Sequence, residues 1–227
     1  ICRIHERTDR RMNQKIRLRF LAAAAVLAAF ALFTLAVRTV DVQPIGPHSS
    51  AVGFAGLNRF FHVRTGVHMT LYTLTDWLGL VPVAVGFGFA LLGLCQWIRR
   101  KHLGKVDFDL LALGVLYLLT LGAYLFFEEF PVNYRPVLID GVLEASYPSS
   151  TTMLVLCVML TAMLQLRARC KKCPLVQILL AAFIVFMVVA RLISGVHWFT
   201  DIIGGILLSG GLVLLYQAFC NWNFNQK

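Results

Sequence analysis

The chain alternates long apolar stretches with short polar segments. Phe20–Val37, Trp77–Ile98, Leu110–Phe127, Tyr147–Leu166, Leu175–Ala190 and Ile202–Cys220 each run without a charged residue. A bilayer core of about 30 Å needs about 20 apolar residues of helix, so the pattern predicts six membrane spans. The fourth is interrupted near its start by Pro148, Ser149 and Ser150, and the fifth is short. The first follows basic residues, as a signal peptide would. Its apolar run exceeds the roughly 7–15 residues of a signal core, and no small-x-small cleavage site follows, so it reads as a span. Between the first two spans, Phe54, Leu57, Phe60 and Phe61 recur at helical spacing within Asp41–Tyr72. That spacing predicts an amphipathic helix on the outer membrane surface.

Composition narrows the class. Hydrophobic residues make up 59% and charged residues 14%, against about 45–50% and about 25% in soluble domains. Disorder is excluded and a water-soluble globule disfavoured, so the leading class is an all-α integral membrane protein with six helices in a bundle. The net charge of +10 would suit nucleic acid if it formed one face. Instead, 16 of the 21 Lys and Arg lie before the first span, in the loops after the second and fourth, and at Lys227. This is the positive-inside pattern. It predicts both termini in the cytoplasm, a multi-pass protein of the plasma membrane and no nucleic-acid partner. Residues 1–19 form a basic cytoplasmic N-terminus and residues 20–227 a single domain. The chain opens on Ile1, and Met12 offers a native start, which would make residues 1–11 an extension. The six cysteines show no regular spacing, so no disulfide framework is read. Cys170-Lys-Lys-Cys173 has no His or second CxxC beside it and reads as two reduced thiols in a cytoplasmic loop.

The opposite side holds seven of the eleven acids and three polar clusters that membrane burial makes costly. These are Asn133-Tyr134-Arg135-Pro136, Tyr147–Thr152, and Arg191 to His197 to Asp201. Span counting puts all three on one face. His197 and Asp201 are four apart, a spacing that makes them helical neighbours. A carboxylate there accepts a proton from one imidazole nitrogen and leaves the other free as a nucleophile or base. Arg135 and Arg191 offer forks for phosphate oxygens. Ser149 and Ser150 sit at a helix start, where the dipole favours an anion. The set suits attack on a phosphoryl group. His62 and His68 have no carboxylate at ligand spacing and read as surface residues.

These residues resemble the type-2 phosphatidic acid phosphatase family, the integral-membrane lipid phosphatases related to vanadium haloperoxidases. That family carries KxxxxxxRP, PSGH and SRxxxxxHxxxD. Here the third motif reads Ala190-Arg191, five residues, His197, three residues, Asp201. The second reads Pro148-Ser149-Ser150-Thr151, and the first keeps Arg135-Pro136 with Glu128 at the lysine position. The resemblance covers spans three to six and the whole six-helix plan, with the core motifs in residues 128–201. It implies an active site at the outer membrane face, with His197 as a nucleophile forming a phosphohistidine and Asp201 orienting it. It further implies that Arg135, Arg191 and Ser149 hold the phosphate oxygens and that no metal is needed; Ser150, at the same helix start, joins them as a phosphate-binding candidate, and no other cofactor is expected.

Three positions depart from the family. Ala190 removes a hydroxyl. Glu128 reverses a charge beside a polyanion and is expected to turn away or to pair with an arginine. Thr151 replaces the histidine that protonates the leaving group, and threonine is no general acid at neutral pH. Thr151 thus modulates at most, and Glu128 or Glu129 is a candidate substitute acid. A missing acid favours a substrate whose leaving group departs unprotonated, hence a polyprenyl diphosphate over a simple lipid phosphate. The alternative is a relative that binds lipid phosphate without turnover. A channel or transporter would want ionisable residues at mid-span, which the runs lack.

Overall fold

The structure, a computed structural model, describes residues 2–169 and 173–224, with side chains from Gln14 onward. Eight helices account for most of it: α1 (Cys2–Thr39), α2 (Ala55–Thr65), α3 (Met69–Leu78), α4 (Leu80–Arg100), α5 (Phe108–Glu129), α6 (Ser150–Arg169), α7 (Pro174–Ile193) and α8 (Phe199–Phe224). The described residues contain isolated β-bridges and no strand.

Among the described residues, six helical segments are long and apolar enough to cross a membrane: Gln14–Thr39, Met69–Arg100, Phe108–Glu129, Ser150–Arg169, Pro174–Ile193 and Phe199–Phe224. The expected six spans stand, the helices mostly running past the ends of their apolar runs, and two starts shift for identifiable reasons. The second begins at Met69 rather than Trp77, because α3 continues into α4 through Gly79, which keeps a right-handed helical conformation. The fourth begins at Ser150 rather than Tyr147, because Pro148 has no N–H and Ser149 caps the helix. The Ser149 hydroxyl accepts from Thr152 N–H at 3.4 Å, the first-turn donor that an N-cap serine satisfies.

Burial separates inner from outer helices. The most apolar stretches of α6 and α8 are each 56% buried, against 11% to 22% for the other four spans. The outer helices turn Leu32, Phe87, Leu118 and Leu179 outward, as a lipid-facing surface requires. Two apolar clusters hold the bundle. One joins Leu113 and Leu116 of α5 to Met153 and Cys157 of α6 and Leu212 and Tyr216 of α8. The other joins Val155 and Met159 of α6 to Ile184 and Met187 of α7.

The two ends differ. At one end Arg100 pairs with Asp107 at 2.8 Å and Arg169 with Asp109 at 2.7 Å. The last turns of α4 and α6 therefore meet the start of α5 there, and burial of the Asp107 ion pair is slight. The Arg100 guanidinium and the Gln96 amide hold the Asp107 carboxyl below its ordinary range. Cys173 at this end is disulfide-bonded, which corrects the expectation of a reduced thiol. Cys170 lies outside the described residues. The other end gathers residues 40–68, the segment between α5 and α6, and the turn between α7 and α8. The amphipathic helix expected in the first of these is α2. Phe54 precedes it with φ 47° rather than lying within it. Phe60 is exposed, while Phe61 stacks on Phe199 with centroids 4.1 Å apart.

Candidate active site

The turn between α7 and α8 is built around Asp201. Its Oδ2 accepts from Trp198 N–H at 2.9 Å. A first-turn carboxylate reaching back to the N-cap amide is half of a capping box, so Asp201 starts the last helix. The same oxygen accepts from Ser146 Oγ at 2.5 Å, and Oδ1 accepts from Asn133 Nδ2 at 3.3 Å. Three donors thus meet a fully buried carboxylate, which burial would otherwise make expensive.

His197 precedes α8 instead of lying on it, so the four-residue spacing acts through a turn rather than a helix face. Its Nδ1 is 3.8 Å from Asp201 Oδ2, too far for a direct hydrogen bond. Ser146 fills the gap, with Oγ 3.0 Å from His197 Nδ1. Because Ser146 gives its own proton to Asp201, its oxygen accepts from His197 Nδ1–H. The chain of donors runs from imidazole to serine to carboxylate, and it leaves Nε2 without a proton. That nitrogen is buried and has no hydrogen-bond partner. Burial, followed by the positive charges of Arg135 and Arg191, holds the His197 imidazole well below its ordinary pKa of 6.5.

His197 lines a cavity of about 150 Å³ together with Arg135, Glu144, Glu128, Ser146 and Ser150. Pockets that enclose drug-sized ligands run to roughly 300–1,000 Å³, so this one suits a head group. Arg135 is nearly buried. Its Nε lies 3.0 Å from Glu144 Oε2, an ion pair without hydrogen-bond alignment, and Nη1 has no partner. The segment that carries it is closed by two backbone bonds, Arg135 N–H to Glu144 O at 3.0 Å and Ser146 N–H to Asn133 O at 2.9 Å. These pairings bring Arg135, Glu144 and Ser146 to one rim.

Beside the cavity lies a larger apolar groove of about 400 Å³ between α4, α5 and α6. Tyr124 and Ser150 line both. Thr151 lines the groove and not the cavity. The Ser149 hydroxyl turns into the helix start, toward Thr152, and Ser149 is not among the cavity's lining residues. Neither is Arg191, which is 1% exposed. It donates to Thr75 Oγ1 at 3.2 Å, lies 3.8 Å from Asp76, and sits 4.8 Å over the Tyr72 ring that Arg135 also faces at 5.7 Å. Its Nε is buried and unpartnered. Glu128 and Glu129 are exposed at the end of α5. Glu128 reaches the cavity, but the carboxylate paired with Arg135 is Glu144.

Sequence reading missed Ser146, Glu144 and Asn58. Asn58 of α2 donates to Gly53 O at 2.8 Å and Thr200 Oγ1 at 3.0 Å, and accepts from Thr200 N–H at 3.2 Å. Asn133 extends this network to Gly53 N–H at 3.4 Å. The segment before α2 is thereby tied to the turn that bears His197. No short motif marks these residues, since each partner is distant in sequence. The described residues hold no group of three or more His, Cys, Asp or Glu placed to bind a metal ion.

Known proteins resemble this arrangement. A PAP2 superfamily model matches residues 120–225, from the second half of α5 through α8. A solved structure, that of a transmembrane PAP2 type phosphatidylglycerolphosphate phosphatase from Bacillus subtilis, is similar over 90% of this chain and 96% of its own. The TM-score is 0.50 and the identity 20%. No curated protein matches the chain. The resemblance read from the three motifs is therefore shown, and the chain has the fold of a PAP2-type membrane phosphatase.

Proposed function

We propose that the chain is a lipid phosphatase that works through a phosphohistidine at His197, acting on a lipid phosphate or, preferentially, a polyprenyl diphosphate. The observation that carries this reading is the unpartnered Nε2 of His197, beside Arg135 in a cavity of head-group size. The Nε2 lone pair attacks phosphorus, and the bond to the leaving oxygen breaks. Ser146 and Asp201 stabilise the positive charge that the ring acquires. Arg135 faces the phosphoryl oxygens directly, with free N–H donors of Ser150 and the helix start beside it. Arg191 adds positive charge from behind the Tyr72 ring. Water then attacks the phosphohistidine and releases phosphate.

The groove between α4, α5 and α6 receives the apolar chain, since it opens beside the cavity and is lined by Val83, Leu121, Met153 and Leu154. Thr151 in that groove supplies no proton to a leaving group. In a diphosphate the leaving group is a phosphate monoester, with a second pKa near 6 by analogy with phosphorylated side chains, so it departs unaided. The basic end lies in the cytoplasm and the site outside, in the plasma membrane, within one domain spanning residues 20–227. The chemistry uses no metal. Phosphate release from prenyl phosphate and diphosphate by purified protein with EDTA present tests the reading. Diphosphate should be cleaved faster, EDTA should change nothing, and His197→Ala should lower turnover at least 1,000-fold, on the scale of losing a nucleophile. Parental activity in His197→Ala would overturn it. Lipid binding without any turnover would instead favour the non-catalytic relative.

A further inference from the structure

We propose that Glu144 is the proton donor that lets this site cleave phosphate esters with poor leaving groups, a task for which Thr151 is neither chemically suited nor in position. The inference rests on the phosphohistidine reading above. Two carboxylates line the cavity, Glu144 and Glu128. Glu128 is exposed on the last turn of α5. Glu144 is fixed by its backbone carbonyl to Arg135 N–H and by its carboxylate to the Arg135 guanidinium. It stands two residues from Ser146, the hydroxyl that holds His197. Its side chain is 35% exposed, enough to exchange a proton with water between turnovers.

The charges change when a substrate enters. In the empty site Arg135 faces Glu144 as a counter-charge. A phosphate dianion takes over that guanidinium and adds negative charge beside the carboxylate. Like charge at short range disfavours the ionised form, so Glu144 takes up a proton. Arg135, Glu128 and His197 are the other charged or titratable groups that bear on it from the cavity wall, with Tyr124 and Tyr147. As His197 Nε2 bonds to phosphorus and the P–O bond breaks, the carboxyl proton passes to the departing oxygen, and an alcohol leaves. In the second half-reaction the Glu144 carboxylate takes a proton from the attacking water. The P–N bond breaks, its electron pair returns to Nε2, and phosphate departs. Protons and charges balance over the cycle. A diphosphate needs no proton on its leaving oxygen, so its first step runs without Glu144. The retained carboxylate thus extends the substrate range to esters.

The test compares single-turnover release of the leaving group from a prenyl monophosphate and a diphosphate of the same chain, in parent, Glu144→Gln, Glu144→Asp and Glu128→Gln proteins. A positioned acid contributes about 10²–10⁴-fold. Glu144→Gln should therefore slow the monoester at least 100-fold and the diphosphate less than tenfold. Glu144→Asp should recover part of the monoester rate, which also covers the case in which the glutamine variant does not fold. Equal losses on both substrates would reduce Glu144 to a support for Arg135 and overturn the proposal. So would a monoester-selective loss in Glu128→Gln instead, or a parent that leaves monoesters intact. Failure of the underlying reading looks different: His197→Ala would then keep its activity on both substrates, whatever Glu144→Gln does.

Discussion

At the residue scale, the site depends on a hydroxyl standing between an imidazole and a carboxylate. Ser146 accepts from His197 and donates to Asp201, so Ser146→Ala should break the connection while removing a single oxygen from the cavity wall. Hydrogen bonds to charged groups are worth about 1.5–3 kcal/mol, which corresponds to a loss of roughly 10- to 150-fold in kcat. The loss should appear in kcat more than in KM, because the ring becomes charged only as the reaction proceeds. A second expectation concerns pH. In the proposed mechanism His197 attacks in its neutral form, and burial with nearby arginines holds its pKa well below 6.5. The acid limb of kcat/KM, which reports the free enzyme, should therefore fall below pH 6.5. Stability follows the same sign. Above pH 6.5 the ring is neutral both folded and unfolded, and its contribution is constant. As pH drops through 6.5, only the unfolded chain binds the proton, so this contribution is lost toward the depressed folded value. A limb at or above pH 6.5 would mean that the ring is less desolvated than its burial shows. His197, Asp201 and Arg135 were legible in the sequence because one spacing and one dipeptide carry them. Ser146 and Glu144 were not, because their partners lie across the α5–α6 segment and the α7–α8 turn.

At the element scale, the spans were legible because lipid imposes one pattern, and their ends were less so because caps decide ends. Pro148 and Ser149 delayed the fourth span, and Gly79 let α3 continue into α4. The packing of the segment before α3 onto the α7–α8 turn had no signal at all. It rests on His68 N–H donating to Ser194 O at 2.9 Å and on Gly195, whose φ is +70°. A Cβ there would stand 1.9 Å from Gly66 O. Alanine is strained by that backbone as well as by the contact, so Gly195→Ala should cost more than about 1 kcal/mol. Thermal unfolding in detergent should show a lower midpoint, and turnover should fall with it, since the displaced turn bears His197. A control at Gly141, which has φ +79° but open space around its missing Cβ, should lose stability without losing activity. Equal activity losses at both glycines would argue that strain alone, and not the close approach, matters at Gly195.

At the scale of the whole molecule, the helices sort charge by end. The ion pairs Arg100–Asp107 and Arg169–Asp109 lie opposite the site, and the basic N-terminal residues Arg17 and Arg19 begin the first span on their side. The positive-inside rule reads Lys and Arg near span ends, so this sorting predicts that the site faces away from the cytoplasm. A cysteine probe can test it, and the structure selects where. Asp140 and Gly141 form a tight turn with φ 50° and 79°, closed by the bridge between Ile139 and Val142. Aspartate tolerates positive φ better than most residues, so replacing Asp140 would strain the turn. Val142 is 58% exposed and has no such constraint. Val142→Cys should react with an impermeant thiol reagent in intact cells, above the background of the parent cysteines. Lys105→Cys, at the opposite end, should react only after the membrane is opened. The reversed result would place the site in the cytoplasm. The proposed phosphohistidine chemistry would survive that inversion, because it depends only on groups within one end of the bundle. The substrate would not, since the lipid head group would then have to reach the protein from the other leaflet. Topology therefore constrains which lipids can be substrates independently of the residues that cleave them.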